Sequence, residues 1–444
     1  LEFRRVLFRS LWPAIQRGSW WADKNAPSMP LRLDMADKNI DAARKRFETF
    51  IKANPKVAQG YMQYAELQAM TGGQNKDIQA LLEKGLTAVP TSLPIRTALV
   101  AMLAQSGDTK RALLLAQEAS ASAPDDPAVL DLLGRAQVAA GEMQQALSTY
   151  EKLATRMPNS PVPLIAQADL QMAAKDLSAA ENSLRKALVV KPDAVEAQQR
   201  LISLMINNKR GDAAVAVARD VQKQRKDAAI GYILEGEALL AQGKKADAVP
   251  LFEEAFKRDK SAQSVIRLYA ARSAAGQSQE AAKGVAEWVK ANPKDLVVRS
   301  FLAERSLAEQ KYDQAAQQYR QMLEFAPKNP MLLNNLAWAL GKLNDKGALD
   351  VAKQALALAP NSPVVLDTYG TLLLDNGDAA KGVENLRKAV SLGPKLPQLR
   401  LNLARGLAKT GDKDGARKEL EEAQKQAPEN SPLRAEIDKV RASL

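Results

Sequence analysis

Neither cysteine nor histidine occurs anywhere in the 444 residues. The first absence removes disulfides, zinc–thiolate sites and thiol nucleophiles. The second removes the commonest general base and the commonest metal ligand. Aromatic residues amount to 5%, while alanine and leucine are abundant, a mixture that favours helix throughout. No run of eighteen apolar residues is present, so the sequence offers no apolar helix able to span a bilayer.

What remains is globular in character, with 46% hydrophobic and 26% charged residues. The length exceeds what one ordinary core supports, which points to several domains or a repeat array. Sixty-three basic and 51 acidic residues give a net charge of +12. That excess raises an acidic partner, whether nucleic acid, anionic glycan or membrane surface. The two signs are interspersed along the chain, however, as on a solvated helical surface. Nucleic acid is therefore not the expected partner.

The prolines carry a period. Pro55, Pro90, Pro124, Pro158 and Pro192 are 35, 34, 34 and 34 residues apart. Pro293, Pro327, Pro360, Pro394 and Pro428 follow at 34, 33, 34 and 34. The interval of 101 between Pro192 and Pro293 holds two further repeats that have lost the proline, ending near Lys226 and Lys260. Twelve residues before each mark the column reads Ala43, Ile78, Ala112, Ala146, Ala180, Ala214, Ala248, Ala281, Ala315, Ala348, Gly382 and Ala416. A position that accepts almost nothing beyond Cβ is one where two helix backbones approach closely.

Within each period the pattern is helix, tight turn, helix. In "PAVLDLLGRAQVAAGEMQQALSTYEKLATRMP", Leu130, Leu133 and Val138 form one apolar stripe, and Ala146, Leu147, Tyr150 and Leu153 the next. Gly141 between them suits a helix C-terminus that needs a left-handed residue. Equivalent punctuation recurs as SGD at 106–108, QGK at 242–244, NGD at 376–378 and TGD at 410–412. The closing proline ends the second helix, because it lacks an N–H and disfavours helix before it.

Residues 31–428 resemble the tetratricopeptide repeat on these marks, with about twelve repeats of which the first is incomplete. The eighth family position is small at Ala65, Gly134, Ala168, Gly236, Ala303, Ala337, Gly370 and Ala404. The twenty-fourth is large at Phe47, Tyr150, Phe252, Tyr319 and Leu386. Val100, Ile202 and Ile78 depart from the pattern and predict locally looser packing. The resemblance implies an all-α solenoid, a right-handed superhelix of antiparallel helix pairs.

A stacked array needs a cap at its end. In residues 429–444, Ser431 fits the N-cap, Pro432 the first helical position, and Leu433, Ile437, Val440 and Leu444 one apolar face. Residues 11–30 carry three of the five tryptophans together with Pro27 and Pro30, and read as irregular. Leu1–Ser10, "LEFRRVLFRS", fits the codons CTG GAG TTC AGA CGT GTG CTC TTC CGA TCT, a string similar to a widely used sequencing adapter. This stub is expected to be foreign to the gene, whose coding region is expected to extend further upstream. Without Glu2, Arg4, Arg5 and Arg9 the charge of +12 falls by two.

No catalytic constellation emerges. "GEALLAQGKK" at 236–245 has six residues between its glycines, where a phosphate loop needs four. The letters SxxK at Ser183–Lys186 lack their companion motifs and lie in a repeat helix. No cofactor is implied. By the resemblance, function resides on the groove lined by the first helix of each repeat, at the second, fifth, sixth, ninth, twelfth and thirteenth positions. These are mixed in the middle repeats, as in Ile230, Ile233, Leu234 and Glu237. They turn polar in the last three, which contribute Asn334, Asn335 and Trp338, then Asp367, Thr368 and Thr371, then Asn402, Arg405 and Lys409. Asparagine amides grip a peptide backbone irrespective of its side chains, and a groove tryptophan is a flat anchor. Protein or peptide ligands are the implied partners.

Residues 333–420, with NNLAW, the short loop at Leu343–Lys346 and the LDT-G stretch, are similar to the TPR-repeat lipoprotein family of PEP-CTERM/exosortase systems. Thr371 stands where that family often has tryptophan. The likeness implies a periplasmic, lipid-anchored scaffold in exopolysaccharide export or protein sorting, with this chain as its C-terminal half. Two other classes stay open: a regulatory arm of an enzyme such as a glycosyltransferase, and a polyanion-binding solenoid. An upstream catalytic domain would mark the first. Steeply salt-dependent retention on heparin would mark the second.

Overall fold

A computed structural model describes residues 40–444. The readings made for residues 1–10 and 11–30, and for the start of the first repeat at 31, lie outside the described residues. The described chain falls into two compact units, divided after Gln224. The first holds α1 (Ile40–Ala53), α2 (Ala58–Met70), α3 (Asn75–Ala88), α4 (Leu93–Ser106), α5 (Thr109–Ser122), α6 (Pro127–Ala140), α7 (Met143–Arg156), α8 (Val162–Ala173), α9 (Leu177–Val190), α10 (Val195–Asn207) and α11 (Gly211–Gln224). The second holds α12 (Ile230–Ala241), α13 (Lys245–Arg258), α14 (Ala262–Ala274), α15 (Ser278–Ala291), α16 (Leu296–Ala308), α17 (Tyr312–Phe325), α18 (Pro330–Lys342), α19 (Ala348–Leu358), α20 (Pro363–Asp375), α21 (Ala379–Leu392), α22 (Pro397–Lys409), α23 (Lys413–Gln426) and α24 (Pro432–Ala442). No strand occurs among the described residues.

From α2 onward each even-numbered helix up to α22 pairs with the odd-numbered helix after it. The turn between them is made by a left-handed residue. Gly107, Gly141, Gly243, Gly276, Gly377 and Gly411 supply it with φ between 78° and 89°. The aspartate after the turn then caps the second helix. Asp108, Asp176, Asp378 and Asp412 each accept a backbone N–H from the helix they open. Lys175, Lys209, Gln310 and Asn344 take the same conformation without being glycine. A Cβ there costs about 1–2 kcal/mol. Gln310→Gly is therefore expected to stabilise the chain by about 1 kcal/mol, seen as a higher melting temperature. A lower one would mean that the side chain contributes more than its backbone strain costs.

The small-residue column lies inside the helix pairs. Eleven of its twelve members are described as buried apolar side chains, and Gly382 is buried as well. Its partners are the eighth and twenty-fourth positions, which trade volume. A Cβ built at Gly134 would lie 2.8 Å from the Tyr150 ring, and one at Gly236 would lie 2.7 Å from Phe252. At Val100 and Ile202, where the eighth position is larger, the twenty-fourth is alanine. Val100 shares a core cluster with Ala116, and Ile202 is matched in the repeat by Ala218. Val100 and Ile202 are 3% and 1% exposed, so both departures are covered by their neighbours. Close packing is kept by exchanging methylenes across the pair.

A second recurring device was not visible in the pattern. The carbonyl left by a closing proline needs a partner, and in most repeats a long side chain supplies it. Tyr61, Arg96 and Gln198 donate to Pro55, Pro90 and Pro192 at 3.1, 3.0 and 2.9 Å. In the second unit Arg299, Arg400 and Arg434 donate to Pro293, Pro394 and Pro428. At Lys226, where the proline is lost, Arg258 still donates to the carbonyl at 3.1 Å and stacks on Tyr232. At the C-terminal end, the Ser431 hydroxyl accepts the Leu433 N–H and buries Ile437 against Leu407, Ala416 and Leu420.

Candidate partner-binding face

The first helices of the last repeats, α16, α18, α20, α22 and then α24, set the geometry of this face. Sequence fixes where they begin. Asn329 accepts the Met331 and Leu332 N–H groups at 3.0 and 3.3 Å, and Pro330, Pro363 and Pro397 occupy first turns that need no N–H there. Helix α18 packs directly on α20, with Leu336 and Leu340 in one cluster with Leu372.

Three exposed apolar side chains, Val297, Met331 and Val364, occupy the second position of α16, α18 and α20. Trp338 lies seven residues after Met331, hence on the same side of α18. It is 38% exposed, meets Tyr312 edge-on at 5.7 Å and has Lys342 Nζ 5.3 Å from its ring. Asn335 is half-buried and accepts from Asn334 Nδ2 at 3.2 Å. Asn334 is buried, and its Oδ1 has no partner.

The polar residues of α20 and α22 form a ladder. Asn402 Nδ2 donates to both Asp367 oxygens, at 3.1 and 2.8 Å. Asn402 Oδ1 accepts from Gln398 and from Arg405 Nη1, and Arg405 Nη2 reaches Glu436 of α24 at 2.9 Å. Burial raises the Asp367 carboxyl to about 7, although Asn402 and the Arg405 charge pull the other way. Thr368 is buried. Thr371 turns its Oγ1 inward without a partner. Lys409 Nζ donates to the Leu374 carbonyl at 2.6 Å.

Of the nine residues read from sequence, the structure joins Asp367, Asn402 and Arg405 in one network, and Asn334 and Asn335 in a second. Trp338 stands exposed, and Lys409 is spent on a backbone carbonyl. Glu436, Gln398, Tyr312 and Lys342 were missed. Glu436 could have been found from spacing, because ninth-to-sixth links between neighbouring first helices recur. Asp169 meets Arg200 at 2.7 Å in the first unit, and Glu237 meets Arg267 at 3.9 Å in the second. Burial also raises the Glu237 carboxyl.

A tetratricopeptide-repeat family model matches residues 102–161 and 233–295, and a second one matches 373–437. No curated protein sequence matches significantly. Among solved structures, yeast Tom70 is 16% identical with 93% of this chain and 94% of that chain covered, at a TM-score of 0.42. Cut9–Hcn1 of the APC/C hetero-tetramer is 12% identical over the same shares, at 0.37. TTC0263, a thermophilic TPR protein of Thermus thermophilus, is 23% identical over 40% of this chain and 98% of its own, at 0.35. The period of about 34 residues, the helix pairs and the family models agree: the described residues are all-α and consist of tetratricopeptide-type helix pairs, with residues 102–161, 233–295 and 373–437 matched as tetratricopeptide repeats.

Proposed function

We propose that this chain is a non-catalytic scaffold that captures protein or peptide segments on the face of α16, α18, α20 and α22. The observation that carries this reading is the row Val297, Met331 and Val364 with Trp338, exposed beside a hydrogen-bonded polar ladder. Exposed apolar side chains gathered on one face, with an aromatic among them, mark interaction sites. Trp338→Ala combined with Asn335→Ala is expected to weaken binding of peptides panned on the whole chain by about tenfold or more. The melting curve should stay in place. Unchanged affinity in a calorimetric titration would overturn the reading.

The likeness of residues 333–420 to the lipoprotein family supports a finer proposal. The scaffold serves exopolysaccharide export or PEP-CTERM protein sorting in a bacterial envelope. It works on the periplasmic side, tethered by a lipid anchor encoded upstream. One long sequencing read across the gene tests this. A lipidation cysteine and neighbouring polysaccharide or exosortase genes are expected. A catalytic domain in the same frame would make the chain a regulatory arm instead.

A further inference from the structure

We propose that the α18–α20 part of this face holds a cationic side chain of the partner, a lysine ammonium or arginine guanidinium, against Asp367. The inference rests on the peptide-capture reading above and specifies its chemistry. Asp367 makes no ion pair among the described residues. Its hydrogen bonds come from a neutral amide, Asn402, and the nearest cation, Arg405, is committed to Glu436 and to Asn402 Oδ1. A carboxylate offers about four lone-pair directions, and Asn402 fills two.

Two further polar atoms, one on α20 and one on α18, are unsatisfied. Thr371 stands one helical turn beyond Asp367 on α20, and its buried Oγ1 has no partner. Asn334 holds the matching place one repeat earlier on α18, is 4% exposed, and leaves Oδ1 unpaired. Buried groups in this condition each cost about 1–3 kcal/mol. The carboxylate and the amide oxygen can only accept, and the hydroxyl can accept as well. Their complement is a group rich in donors and positively charged. An ammonium brings three donors and a guanidinium five. A carboxylate or phosphate ligand would meet Asp367 with like charge. Trp338, one turn from Asn334 on α18, gives the aliphatic stem an apolar wall, with the Lys342 ammonium already 5.3 Å from its ring.

Asn402 bonds Asp367 and the Arg405 charge acts on it from α22, while Thr371 stands one turn further along its own helix. Of these only Arg405 is charged. Because burial keeps the free carboxyl near 7, a cation that binds at pH 6 must expel a proton.

The test uses a random dodecapeptide library panned on the whole chain. A selected peptide whose binding is lost in Trp338→Ala is resynthesised with norleucine in place of its lysine or arginine. The expected loss is about 10- to 100-fold against the natural chain, as for a charge-assisted hydrogen bond, and under threefold against Asp367→Asn. Calorimetry at pH 6 in buffers of differing ionisation enthalpy should record proton release with the natural chain and none with Asp367→Asn. Thr371→Val, which keeps the shape, should weaken the cationic peptide alone. Peptides that need Trp338 yet carry no cation, or bind Asp367→Asn equally well, overturn the cation site and leave the capture face standing. If no selected peptide depends on Trp338, the capture face itself fails.

Discussion

Replacing Gly382 by leucine is expected to cost about 3 kcal/mol and to loosen α20 and α21 specifically. Gly370 and Gly382 form the one repeat in which both the eighth and twentieth positions are glycine. A Cβ at Gly382 would lie 2.9 Å from the Gly370 carbonyl oxygen and 2.7 Å from Leu374, and one at Gly370 would lie 2.9 Å from the Gly382 carbonyl oxygen. A backbone oxygen cannot swing aside as a flexible side chain can, so the two helices must part. Alanine is the diagnostic control. In an unconstrained helix interior Gly→Ala gains about 1 kcal/mol, so even an unchanged stability for Gly382→Ala implies a compensating clash. Repeat arrays unfold piecewise, and hydrogen exchange of the α20 and α21 amides is the proper readout. Unaltered protection in Gly382→Leu would show that the backbones do not meet.

Asp367→Asn is expected to stabilise the chain at pH 8 and to change little at pH 4. The folded carboxyl titrates near 7 because it is buried, whereas an unfolded aspartate titrates near 3.9. Between those values the folded state binds the extra proton, so stability falls as pH rises. The loss approaches a plateau above pH 7, at up to about 4 kcal/mol for three pH units. Asparagine removes the ionisation while leaving an oxygen to accept from Asn402. Denaturant midpoints for both proteins from pH 4 to 8 should converge near pH 4, separate progressively between pH 4 and 7, and keep a constant gap above that. Parallel curves would mean that Asp367 is solvated and ionised like a surface aspartate.

Both predictions rest on features that spacing located but did not explain. The alanine column was readable because a steric ceiling repeated twelve times leaves a trace no single helix could. The same arithmetic placed the turns at Gly141 and Gly377, where only backbone conformation matters. It judged Val100 and Ile202 alone, and so could not show what faces them. The exchange of volume with Ala116 and Ala218 is a property of the pair. The proline carbonyls at Pro90, Pro293 and Pro394 show a further limit. Arg96, Arg299 and Arg400 look like surface charges until the chain folds back across six residues to bond them.

On the binding face, sequence chose the helices and the residue types, since the period assigns each position a side of its helix. It could not rank them. Asn334 and Trp338 are four residues apart and were read as equals, yet one is buried and the other exposed. The difference is set by how α18 lies on α20. Lys409 was read as a groove cation, but its Nζ is taken by the Leu374 carbonyl. By itself, then, the sequence determined the all-α repeat, its period, its turns and its small-residue contacts, because local conformation and sterics recur identically in every copy. Only the tertiary structure decided that Asp367, Asn402, Arg405 and Glu436 join across three helices and that a half-buried carboxylate is left without an ion pair among the described residues. Desolvation and charge pairing depend on which neighbours arrive from other helices, and no periodicity records that.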